Sequence, residues 1–303
     1  MHKTTILDDQ WMGRPRSIGT TLLESDGHHA LVDPGPGSTL DTLRKELVAH
    51  GVSVSDLDAI LLTHIHLDHA GASGALVKEN PRVAVYVHKL GAPHMMDPSK
   101  LLASAARLWP DNLEQLFGGA VPVPESNLRV LEGGETITLG SRKIEVAYTP
   151  GHASHHLSYF ENVEGVAFVG DTTGVRIEGH AYAMPATPPP DVDLQLWDSS
   201  LALIVERKPK RLFLTHFGFS ENPAAHIAEF RERLHHWMET TEKILETAKS
   251  DAQAMDFFMA AMRTEIGQNL PAEEVENYVA TAGLNLSFLG LARHARKRAK
   301  AAS

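Results

Sequence analysis

Apolar residues fall in short runs through the first two thirds of the chain and at helical spacings through the last third. Thr20–Leu23 and Ala30–Asp33 are compact runs that predict strands, the second stopped by Pro34-Gly35-Pro36-Gly37. Ser38 then stands as the N-cap of an amphipathic helix to about His50, with Leu40, Leu43 and Leu47 on one face. Asp58–Thr63 predicts a buried strand running into His64-Ile65-His66-Leu67-Asp68-His69. The small residues Ala70–Gly74 open a helix toward Val77, and Val83–Val87 predicts the next strand. From about residue 90 to 127 the strand rhythm stops. Met95, Met96, Leu101, Leu102, Leu108, Trp109, Leu113, Leu116 and Phe117 sit at mixed helical spacings there, which predicts a helical insertion.

Leu128–Leu131 and Thr136–Leu139 predict a hairpin about Glu132-Gly133-Gly134-Glu135. Strands follow at Ile144–Tyr148, Leu157–Phe160 and Val166–Val169, the last ending at Gly170-Asp171. A Pro-rich loop, Met184–Pro190, leads into a helix at about Val192–Arg207, and the strand Arg211–Thr215 ends at His216. Beyond Phe217 the pattern is helical throughout, with helices near Pro223–Ala248, Ala252–Ile266 and Ala272–Arg298. Two strand-rich halves and outlying helices predict two sheets packed together with helices outside.

A chain of 303 residues with 43% apolar residues can bury a real core, as one large domain or as a core with an appended subdomain. The net charge of −10 argues against a nucleic-acid or anionic-membrane partner, and no run approaches a membrane span. No apolar leader follows Met1, so a cytoplasmic location is expected. The basic run Arg293, Arg296, Lys297, Arg298 and Lys300 reads as a solvated helix end, or else as a nucleic-acid contact. A small-molecule substrate is the expected partner, and a homodimer stays open. With no cysteine in the chain, any metal must be held by nitrogen and oxygen.

Eighteen histidines matter less than where they stand. Alternate spacing lets His64 and His66 point the same way in extended chain, and the following turn brings Asp68 and His69 to a neighbouring position. Four ligand-type side chains in six residues suit two metal ions better than one. Imidazole and carboxylate together suit Zn, Fe, Mn or Co, whereas Ca and Mg want all-oxygen surroundings. His152, Asp171 and His216 each follow a predicted strand as well. Alone each would pass for a turn residue; together they are four strand ends offering ligands, where such folds build sites.

Thr63-His64-Ile65-His66-Leu67-Asp68-His69 resembles the signature of the metallo-β-lactamase superfamily. Thr149-Pro150-Gly151-His152, Gly170-Asp171 and Thr215-His216 resemble its later motifs in order, so the likeness spans residues 18–217 approximately. The resemblance implies an α+β fold, a four-layer αβ/βα sandwich with the site at one edge. Residues 1–217 would form that domain, insertion included, and residues 218–303 a C-terminal helical subdomain covering the active site. It also implies a cofactor of two divalent metal ions, zinc by default for hydrolysis and iron or manganese as alternatives. His64, His66 and His152 would hold one ion, Asp68, His69 and His216 the other, and Asp171 would join them. Asp33 matches an aspartate that orients a ligand histidine. The implied reaction is hydrolysis, with hydroxide shared by the two ions attacking a carbonyl, and Asp68 and Asp171 as catalytic carboxylates.

Departures narrow the branch. Asp171 argues against true β-lactamase activity, and Leu214-Thr215-His216-Phe217-Gly218 stands where glyoxalase II and persulfide dioxygenases carry Pro-Gly-His. That departure weakens both, but because the ligand residues overlap, a mononuclear non-haem iron dioxygenase stays the alternative to a glyoxalase-II-like or lactonase-like hydrolase of small esters, thioesters or lactones. A non-catalytic binding module would be expected to have lost ligands, and none is missing. Tyr182, eleven residues after Asp171, either reaches the metals as a substrate-binding hydroxyl or packs. Met95, Met96, Trp109 and Phe117 either line an apolar pocket or pack the insertion. His155 and His156 match no ligand and read either as structural or as supporting residues behind the ligands.

Overall fold

The computed structural model describes residues 2–177 and 179–302. The first sheet is laid down by β1 (His2–Asp8), β2 (Gly19–Ser25) and β3 (His28–Val32), which pair antiparallel in turn. Helix α1 (Leu40–Ala49) then crosses to β4 (Leu57–Leu61), and α2 (Leu67–Ala70) with α3 (Ser73–Glu79) cross to β5 (Ala84–His88). The insertion, α4 (Ala92–Met96), α5 (Ser99–Leu108) and α6 (Leu113–Phe117), leads to β6 (Leu128–Leu131). β3 to β6 are parallel, as helical crossovers require.

The second sheet repeats the scheme from the other end. β7 (Thr136–Leu139), β8 (Arg142–Tyr148), β9 (Leu157–Glu161) and β10 (Val166–Phe168) run antiparallel. Helix α7 (Leu194–Glu206) crosses to β11 (Arg211–Leu214), parallel to β10, and β12 (Gly218–Ser220) closes the edge antiparallel to β11. Helices α8 (Pro223–Thr247), α9 (Asp251–Asn269), α10 (Ala272–Ala282) and α11 (Leu284–Ala302) follow.

Strand alternation sorts side chains into layers. Ala59 and Leu61 join Leu157, Tyr159, Phe168 and Phe213 between the sheets. Ile60 and Leu62 turn instead to Leu43, Leu47 and Leu76 of the helices outside the first sheet. Ala167, Leu212 and Leu214 turn to Trp197, Phe230, Trp237, Phe258 and Phe288 outside the second. The result is helix, sheet, sheet, helix, and the C-terminal helices share one continuous core with the second sheet rather than building their own.

Four expectations are corrected. The anticipated hairpin does not exist: β6 pairs with β5 and β7 with β8, so Glu132–Glu135 is the crossing between the two sheets. Ser38 does not cap α1; its hydroxyl donates to the Leu116 carbonyl at 2.7 Å, tying the insertion to the loop after β3. The chain past Phe217 is not wholly helical, because β12 intervenes. The last predicted helix is two, broken at Gly283 where φ is +62°. Among the described residues no helix is long and apolar enough to cross a membrane.

Candidate metal centre

Each candidate ligand stands just past the C-terminal end of a strand: His64 and His66 after β4, His152 after β8, Asp171 after β10 and His216 after β11. The chain is extended at His64–His66 and turns helical at Leu67, which swings Asp68 and His69 to the adjacent position. Gly151 lets the turn before His152 press on α7: its φ is +144°, and an added Cβ would lie 2.4 Å from Cβ of Trp197.

The structure brings all seven side chains together. Nδ1 of His66 lies 3.0 Å from Nε2 of both His64 and His152. Nε2 of His216 lies 3.4 Å, and that of His69 3.7 Å, from the Asp68 carboxylate. Asp171 faces both groups, with Oδ2 3.5 Å from His152 Nε2 and Oδ1 3.3 and 3.6 Å from Nε2 of His69 and His216.

Hydrogen bonds on the far side of each ring decide which nitrogen keeps a lone pair. Nδ1–H of His152 donates to the Ala186 carbonyl and that of His216 to the Ser17 carbonyl. Nδ1–H of His69 donates to Oδ2 of Asp33 at 2.9 Å. The Thr63 hydroxyl donates to the same Asp33 oxygen at 2.7 Å, so it must accept from Nδ1–H of His64 at 3.1 Å. All four rings thereby turn Nε2, the nitrogen left for a metal, inward. Asp33 also accepts from the Thr63 amide and from the Thr215 hydroxyl beside His216, so one carboxylate braces both halves of the site.

Burial holds His64 well below the usual histidine range, His66 near 4, and His152 lowered. These rings are therefore neutral ligands at neutral pH. His69 and His216 are raised: burial pulls down, but the carboxylates of Asp171 and Asp68 pull up more strongly. Burial works to raise Asp171 and Asp68, yet His69 and His216 hold Asp171 well below the carboxylate range and Asp68 at about 2. Nε2 of His69 and Oδ1 of Asp171 are fully buried without a hydrogen-bond partner. Buried orphan polar atoms are costly unless something else satisfies them. Three donor groups have their atoms within 4.8 Å of one another: His64, His66, His152; His64, His69, Asp171; and Asp68, His69, His216. This donor set fits divalent transition metals.

A cavity of about 620 Å³ opens beside His66, Asp68, His152, Asp171 and His216. The insertion supplies one wall, the Pro188–Pro190 loop and residues Ala280–Gly283 another. Trp109 and Phe117 line it, whereas Met95 belongs to the core and Met96 is exposed. Tyr182 lies elsewhere: its hydroxyl donates to Glu265 at 2.9 Å and its ring lies 4.0 Å beneath the Arg233 guanidinium. It serves the packing of the C-terminal helices, because the loop after Asp171 folds back onto α8 and α9. In the basic run, Arg296 and Arg298 pair with Asp251 and Glu242 of the neighbouring helices.

Two histidines matter more than sequence reading allowed. His155 lines the cavity, and the Ile65 amide donates to its Nδ1 at 3.4 Å, so Nε2 carries the hydrogen. His156 stacks 4.9 Å from His64 and accepts the Asp171 amide at 3.3 Å. The usable signal was density, three histidines within His152–His156.

A family model described as the metallo-beta-lactamase superfamily matches residues 13–216, more than half of the chain. A metallo-beta-lactamase fold-containing protein of Sulfurisphaera tokodaii is 32% identical over 166 residues, covering 54% of this chain and 61% of that protein. A hydroxyacylglutathione hydrolase of Aeromonas salmonicida is 30% identical over 152 residues (50% and 44%). A thioesterase of Emericella nidulans is 24% identical over 195 residues (64% and 44%). The chain thus aligns with about half the length of these curated relatives. A metallo-beta-lactamase family protein from Thermus thermophilus shares the fold with TM-score 0.71 and 21% identity, over 99% of this chain and 94% of that one. The archaeal superfamily protein from Sulfolobus tokodaii gives 0.67 and 20%, over 96% and 98%. With its ligand-bearing strand ends inside the matched span and its layers in the same order, this chain belongs to the metallo-beta-lactamase superfamily.

Proposed function

We propose that this protein is a binuclear metal-dependent hydrolase that cleaves a small ester, thioester or lactone, with zinc as the favoured ion and iron or manganese suited to the same donors. The observation that carries this reading is Asp171, which offers one oxygen to each of two donor groups. His64, His66 and His152 would hold one ion and Asp68, His69 and His216 the other. When bound, such ions supply Lewis-acid polarisation of a carbonyl and bring the pKa of water toward neutrality.

The rest is work for the chain's own residues. Asp33 and Thr63 fix the rings of His69 and His64 before any substrate arrives. The Asp68 side chain keeps 24% exposure against 5% for Asp171, and it lines the cavity. Its carboxylate stays ionised at neutral pH, so an oxygen of Asp68 can take a proton and pass it to a departing alkoxide or thiolate. Nε2–H of His155 is available to a substrate oxygen. The proline loop and the insertion narrow access of bulk water. A hydroxyacylglutathione hydrolase and a thioesterase among the relatives support carbonyl substrates with sulfur leaving groups.

Metal analysis of the purified protein, paired with a panel of thioesters, lactones and β-lactams, tests the proposal. About two metals per chain and turnover of a thioester or lactone are expected, with activity falling by at least ~10³-fold in His66→Ala and Asp171→Ala. Iron at one per chain, with oxygen uptake on a glutathione persulfide and no ester turnover, would overturn it.

A further inference from the structure

Helix α5 turns an amphipathic face to the cavity. Lys100, Leu101, Ser104, Ala105, Arg107 and Leu108 all line it, and their spacing of three and four residues places them along one side of the helix. That side is divided lengthwise. Leu101 and Ala105 form an apolar edge that packs with Trp109 and Phe117, and Leu108 continues it along the cavity. Lys100, Ser104 and Arg107 form the polar edge, with the two cations two turns apart.

Both cations are exposed and outside any close ion pair, with Asp97 acting on Lys100 only at longer range. Among the described residues neither Lys100 nor Arg107 has a carboxylate within ion-pair distance, in a chain of net charge −10. Arg107 donates to the Ser104 hydroxyl at 3.1 Å, and Asp97, near Lys100, is engaged by the amide and hydroxyl of Ser99. Asp191 lines the same cavity and takes hydrogen bonds from the amide and hydroxyl of Ser154.

We propose that the polar edge of α5 makes this a site for an amphiphilic acyl ester or thioester with an anionic end group, a carboxylate or a phosphate. The chain of the substrate lies on Leu101, Leu108, Trp109 and Phe117, and its anionic end is held by Lys100 and Arg107. This rests on the hydrolytic reading for the words ester and thioester; the recognition of an anionic amphiphile stands on the helix face alone.

Trp11 and Trp109 line the cavity, so quenching of tryptophan fluorescence reports binding without turnover. The purified protein is titrated with decanoate, decyl phosphate and decanol, alongside the double variant Lys100→Gln/Arg107→Gln. An anionic probe is expected to bind about tenfold tighter than decanol at low salt, and the double variant to lose that margin while holding decanol as before. A preference for decanoate assigns a carboxylate end, a preference for decyl phosphate a phosphate end. Decanol binding as tightly as both anions, no saturable quenching by any probe, or an anion preference that survives in the double variant would each overturn the proposal. The last outcome would place the anion on the metals instead. Turnover of uncharged thioesters with no anion preference would keep the hydrolytic reading and sink this one; saturable anion binding without any turnover would do the reverse.

Discussion

Asp33 shows how much a single side chain can organise. Its Oδ2 faces three donors, Nδ1–H of His69 and the hydroxyls of Thr63 and Thr215, and its Oδ1 faces the Thr63 amide. No neutral amide can accept from all four. In Asp33→Asn, whichever way the amide turns, an NH₂ group meets a hydrogen-bond donor and His69 or Thr63 loses its brace. Asparagine also tolerates the positive φ of 47° at this position, so the backbone is spared. Metal affinity is expected to fall about 10- to 100-fold, read by competition with a chromophoric chelator. An affinity equal to wild type would show that the histidines orient themselves. Tyr182 makes the opposite point, since it lies close in sequence to Asp171 but is spent on Glu265 and Arg233.

At the level of elements, sequence pattern and structure agree where a run is apolar and closed by glycine, proline or histidine. β4, β8, β10 and β11 lie within two or three residues of their expected ends, and the ligands stand where those strands stop. The expectation failed where neighbours in sequence join different sheets. Leu128–Leu131 and Thr136–Leu139 carry all the local signs of a hairpin, and only their partners β5 and β8 separate them. β1 was missed because its buried residues are few and its strand is defined by pairing with β2. The role of α5 was equally hidden, since its cations look like ordinary surface charges until the cavity is seen. Contacts between helix and loop are likewise invisible beforehand. Gly290 of α11 is such a case: an added Cβ would sit 1.9 Å from the Thr187 carbonyl oxygen. Both partners are backbone, and Thr187 is further tied to Ser287, so neither can swing aside. The displaced loop carries Ala186, whose carbonyl orients His152. Gly290→Ala is therefore expected to cost about 1–3 kcal/mol and to lower metal content as well, measured by urea denaturation and metal analysis. Wild-type values for both would mean that α11 only leans on the loop.

For the whole molecule, a cluster of buried histidines sets how the fold responds to acid. Burial lowers His64, His66, His88, His152, His155, His156, His226 and His294, with His66 and His226 at about 4. An unfolded chain takes up these protons near pH 6.5 while the native chain resists, so each group removes stability as pH falls through 6.5 toward its folded value. His69 and His216 are raised by neighbouring carboxylates, and burial raises Asp9. Those three work the other way: their stabilisation is complete at low pH and is lost as pH rises through the folded values. Eight groups against three decide the sign; the deeply buried His64, His66, His152, His155, His156 and His226 can each contribute up to about 1.4 kcal/mol per pH unit across its window, and His88 and His294, less fully desolvated, contribute less. Protein stripped of metal is thus expected to show a lower urea midpoint at pH 5 than at pH 7, at equal ionic strength. Metal-loaded protein should show a steeper fall, because protons also compete for the ligand nitrogens and release the ions. A midpoint that rises on acidification would mean that the carboxylate-paired His69 and His216, not the neutral rings around them, govern the stability of the site.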